Sequence, residues 1–163
     1  MIFKPLYLAR KVMTVSAITM ILCASVPNAL AQTSDEQAVR NTVDRLLVAL
    51  GNGDLDALPS MFTTDANVGI VRMREGAWTT STQSFEDWFN AAKASDRSIF
   101  HEPVEKISIH VESGHLALVR AETTIVVDGE IRANNTDYFT LVREQDVWKF
   151  MHASYITLRA TPD

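Results

Sequence analysis

The sequence predicts an α+β domain: helices in its first half, then a curved, largely antiparallel sheet. Three observations predict it. Apolar residues recur at helical spacing from Val39 to Leu50 and again from Phe85 to Ala92. From Val104 onward the chain alternates apolar and polar residues in long β-branched runs, separated by turn sequences such as Asp128-Gly129. Apolar content of 47% with only 6 Gly and 5 Pro supplies a core and excludes disorder and collagen-like structure.

The N-terminus has a different character. Lys4, Arg10 and Lys11 precede an uncharged run from Val12 to Ala24, and Ala29 and Ala31 form a small-residue site before Gln32. A basic start, an apolar middle and a small-residue end form the pattern of a cleavable export signal. The run is shorter than the roughly twenty residues that span a bilayer. The expectation is therefore a signal peptide over 1–31, cut near Ala31/Gln32. A single domain over 32–163 would then act in the periplasm or outside the cell, with no stable membrane insertion. The cut removes Cys23, the only cysteine, and leaves 12 basic against 20 acidic residues. Such a chain has no thiol chemistry, and its net negative charge argues against a nucleic-acid partner.

After the cut, Ser34-Asp35-Glu36-Gln37 reads as a capping box opening a helix over about 35–50, which Gly51-Asn52-Gly53 ends. A second, short helix carries Leu58, Met61 and Phe62, with Asp56 favoured over Asp54 as its cap because Pro59 fits only a first turn. Asn67 to Arg72 reads as a short strand and Met73 to Thr80 as a loop. Ser81 to Ser84 offers caps for a third helix whose Phe85, Trp88, Phe89 and Ala92 share one face. Four strands follow, over about 104–111, 116–127, 131–143 and 147–158.

The order of these features resembles the nuclear transport factor 2-like (NTF2-like) superfamily. The resemblance is carried by Leu46 to Asp56, Met61-Phe62, Asp65-Ala66, Phe85 to Phe89, Asp137 to Val142 and Val147 to Phe150. Within it the chain is most similar to exported bacterial members of the SnoaL-like or lumazine-binding type. The resemblance implies a cystatin-like cone of curved sheet closed by three helices, a pocket at its open end, and homodimerisation through the sheet. It also implies that fold alone does not decide function. Against the ketosteroid isomerases of the group, the general-base aspartate falls on Ile70 and the oxyanion-hole tyrosine on Leu46. The buried acid falls at or near Asp137. One role of three survives, so that reaction is not expected.

The residues offer a candidate site. A last hairpin turning at Glu144-Gln145 sets Asp137 opposite His152 and Asn135 opposite Ser154, all on one face. Asp137 beside His152 could move a proton, or could simply be a cross-strand salt bridge. Asn135, Ser154, Trp88 and Arg72 are the candidate ligand-binding residues. Histidines His101, His110 and His115 read as rim or surface. No metal-site spacing, phosphate loop or dinucleotide fingerprint occurs, and no cofactor is expected. Three functions stay open. The first is an exported domain binding a small apolar or weakly polar ligand. The second is a cofactor-free acid–base enzyme (lyase, isomerase or hydrolase) using Asp137 and His152. The third is a protein-interaction domain.

Overall fold

A computed structural model describes residues 26–95 and 99–159, with side chains from Ser34 to Leu158. Most of the 1–31 segment lies outside the described residues. Helix α1 spans Val26–Gly51 and a 3-10 helix spans Leu55–Met61. Strands β1 (Phe62–Arg74) and β2 (Ala77–Ser84) lead into helix α2 (Phe85–Ala94). Strands β3 (Val104–Glu112), β4 (Leu116–Val127), β5 (Glu130–Glu144) and β6 (Val147–Arg159) complete one sheet in the order β2-β1-β6-β5-β4-β3. All neighbours are antiparallel except β1 and β6. The core sits between the inner face of this sheet and the helices. Val39, Val43, Leu46 and Leu47 of α1 meet Val119, Ala121, Phe139 and Phe150 there. Among the described residues no helix is long and apolar enough to cross a membrane.

Several elements differ from the sequence expectation. Helix α1 continues back to Val26, so Ser34 lies inside it and does not cap it. Asp54, not Asp56, is the residue before the 3-10 helix, and Asp56 instead sits in the first turn, 2.7 Å from Lys93 Nζ. Phe62 belongs to β1, which is longer than expected. The stretch read as a loop is a hairpin turning at Glu75-Gly76, both with positive φ, into β2. Strand β2 carries no apolar alternation because it is exposed on both faces. Ser84 does cap α2: its Oγ accepts from the Asp87 backbone N–H at 3.0 Å. The Asp128-Gly129 turn also forms as read, with Val127 opposite Glu130.

The last hairpin is the consequential correction. It turns at Gln145-Asp146, both with positive φ, so Glu144 pairs with Val147 and Leu141 with Phe150. That shift of two in the pairing alone would leave the faces unchanged. A bulge at Met151 adds one residue, so Thr140 pairs with His152 and Asp137 with Tyr155. One extra residue exchanges the two faces of everything that follows. Trp148 and Phe150 are buried before the bulge, and Ala153 is buried after it.

Candidate functional site

The helices and the inner sheet face enclose an open cavity of about 500 Å³. Leu46 and Leu50 of α1, Val68 and Ile70 of β1, Trp88 of α2 and Phe139 of β5 form much of its apolar wall. Glu102, Asn135 and Asp137 bring polar groups into it, and Arg72 and Arg74 border it from the end of β1. The positions matched above to the isomerase site, Leu46, Ile70 and Asp137, all line this cavity, and only Asp137 can titrate.

The bulge separates the predicted pair. Asp137 and Asn135 face the cavity, with Trp88 and Arg72 on its other walls. His152 and Ser154 do not join them. His152 lies on the outer face in a shallow groove with His110, Leu118 and Tyr138, its Nδ1 2.6 Å from Asn67 Oδ1. Ser154 pairs with Tyr138, the outer-face neighbour of Asp137 on the same strand. On that face Arg120 also holds Glu122 at 2.6 Å. His101 and His115 are exposed. Among the described residues no group of three or more His, Cys, Asp or Glu is placed to hold a metal ion.

The partner of Asp137 is Glu102, a residue the sequence gave no reason to single out. It sits in the segment between α2 and β3, outside any periodic pattern. The backbone fixes it: His101 and Val126 exchange two hydrogen bonds of 2.8 Å, and the Phe100 N–H donates to Gly51 O at 3.0 Å. Glu102 thereby reaches Thr123 on β4. Thr123 Oγ1 lies 2.8 Å from Glu102 Oε1 and 3.0 Å from Asp137 Oδ2, and Asn135 Nδ2 donates to Glu102 Oε1 at 2.9 Å.

This network counts its protons. Thr123 has one hydroxyl hydrogen and two carboxyl neighbours. Asn135 can only donate to Glu102 through Nδ2, which favours a carboxylate there. The Thr123 hydroxyl then donates to Glu102, and a protonated Asp137 donates to Thr123. The electrostatics run the same way. Burial, then the negative charge of Glu102, push the Asp137 carboxyl up to about 7, against the smaller lowering effect of the Thr123 hydroxyl when it turns to donate to the ionised form. Burial also raises Glu102, opposed by its hydrogen bonds from Thr123 and Asn135. Two carboxyl groups sharing one proton can accept, donate or pass a proton near neutral pH.

Gly51 guards this arrangement. A Cβ at Gly51 would sit 2.6 Å from the Phe100 carbonyl oxygen, closer than such contacts occur. Gly51→Ala should therefore displace the segment that carries Glu102. The expected result is a loss of about 1–3 kcal/mol in a urea melt, as for other overpacked sites. The same variant should show changed amide shifts around Thr123. An unperturbed spectrum there would refute the positioning role of this contact.

Fold and cavity together define an NTF2-like domain. A family model described as "Putative lumazine-binding" matches residues 34–156, and the chain belongs to that family. Solved structures share the fold at low identity. An NTF2-like protein with a cystatin-like fold from Novosphingobium aromaticivorans superposes with a TM-score of 0.66 at 14% identity, covering 88% of this chain and 94% of that one. A "Putative Scytalone Dehydratase" from the same organism gives 0.60 at 15% identity, over 83% and 93% of the two chains. A protein of unknown function from Pectobacterium atrosepticum gives 0.58 at 18% identity, over 78% and 93%. No curated protein matches the sequence.

Proposed function

We propose that this chain is an exported binding protein for a small, largely apolar molecule, held in the cavity with one polar end against Glu102, Asn135 and Asp137. The observation that carries the reading is the cavity itself: an open, largely apolar space of about 500 Å³ with Glu102, Asn135 and Asp137 among its lining residues. An interaction domain would need no such space. Export after removal of residues 1–31 and pairing of two copies through the outer sheet face, where Leu118 and Tyr138 are exposed, belong to the same proposal. The neutral fluorophore N-phenyl-1-naphthylamine tests it. Its emission should rise and shift to the blue, saturating at one per chain. Leu50→Trp, which extends a half-buried wall residue into the cavity, should abolish the change while circular dichroism stays the same. Probe binding that ignores Leu50→Trp would place it elsewhere and refute the reading.

One observation favours a second reading, a cofactor-free acid–base enzyme. Asp137 holds a proton near neutral pH inside a cavity that could admit a substrate. Its partner in such chemistry is Glu102 in place of His152.

A further inference from the structure

The oxygen atoms of this site point to the chemistry of the ligand. Both hydrogen bonds to Glu102 fall on Oε1, and the one to Asp137 falls on Oδ2. The second oxygen of each carboxyl has no partner among the described residues. Asn135 Oδ1 is buried and has none either, in a residue that is itself more than nine-tenths buried and lines the cavity. No Lys, Arg or His forms an ion pair with Glu102 or Asp137 among the described residues. Buried carboxylates are ordinarily paired, and a buried acceptor ordinarily has a donor. Here, among the described residues, two carboxyl oxygens and a negative charge are left for something that enters the cavity, while Asn135 Oδ1 is sealed from it.

We propose that the ligand is an apolar organic amine. Its protonated head donates to Glu102 Oε2 and Asp137 Oδ1, and its body packs on Ile70, Trp88 and Phe139. An ammonium group brings a donor for each of the two carboxyl oxygens and a positive charge for the carboxylate. An alcohol brings one donor and no charge. A carboxylate head would meet acceptors and like charge there, and among the described lining residues only Arg72 and Arg74 could hold it. The inference rests on the binding reading and goes past it by naming the head group.

The test keeps the body constant and changes the head. Tryptamine, tryptophol and indole-3-acetate share an indole that the cavity can hold. Calorimetry on the whole protein at pH 6.5 should show tryptamine at least about tenfold tighter than tryptophol, with indole-3-acetate weakest. Glu102→Gln keeps the shape and removes the charge, and should bring the tryptamine-to-tryptophol ratio to about one. Equal binding of amine and alcohol, or tighter binding of indole-3-acetate, overturns the inference and leaves the binding reading standing. So does a cavity that takes N-phenyl-1-naphthylamine but none of the three indoles. A cavity that does not take that probe either overturns both.

Discussion

Asp137→Asn should make the protein more stable than the parent above pH 7, by about 4 kcal/mol, with the difference growing from near pH 4. The carboxyl titrates at about 7 in the fold against an ordinary value of 3.8. Between those values the folded chain holds a proton that the unfolded chain has released. Stability therefore falls as pH rises through this window, and the loss is complete above the folded value. Asparagine cannot ionise, and its amide can donate to Thr123 as the protonated acid does. Urea melts from pH 4 to 9 check this. The parent should lose stability across the window, and the variant should keep only the smaller slope that Glu102, raised in the same direction, contributes. Parallel curves would show that Asp137 does not titrate there, and the proton-sharing pair would be wrong. An acid–base enzyme would also lose a turnover inflection near pH 7 in this variant.

Phe150→Ala should cost about 3–5 kcal/mol, the range for removing a fully buried aromatic ring. Phe150 is fully buried, with ring centroids 5.1 Å from Phe62 and 5.2 Å from Phe139, the latter edge-on at 63°. Phe62 in turn stacks on Phe85 at 4.0 Å. One ring thus ties β6 to β5 and β1, and through Phe62 to α2, and its loss leaves a void among three strands. A fall in Tm of about 10–20 °C is expected. Met151→Ala, one residue away but exposed, should stay within about 0.5 kcal/mol. A cost for Phe150→Ala below about 1.5 kcal/mol would mean that this ring does not tie the strands together.

What the sequence disclosed follows from what periodicity can encode. The apolar stripes of α1 and α2, the Ser84 cap and the four long strands are visible because each buries one face and exposes the other. Strand β2 looks like loop and caps in the sequence because neither of its faces is buried, so Ala77 to Ser84 has no alternation to read. Asp137 falls in phase with the inner face and could be placed on it. Glu102 could not, because its position is fixed by Gly51, Val126 and Thr123, residues far from it in sequence. A charged residue before Pro103, between Phe100 and Val104, is the only local hint. The Met151 bulge turns His152 to the outer face, and it leaves no mark that alternation alone can detect.

The bulge also governs how β6 tolerates change. A strand normally alternates between positions that accept substitution and positions that do not, and the beat is constant along its length. In β6 the beat should invert at Met151. Up to it the even-numbered Trp148 and Phe150 are the intolerant ones, and beyond it the odd-numbered Ala153, Tyr155 and Thr157 take their place. A saturation scan of β6 would show that phase slip directly, as a map of viability with a single misstep in its rhythm.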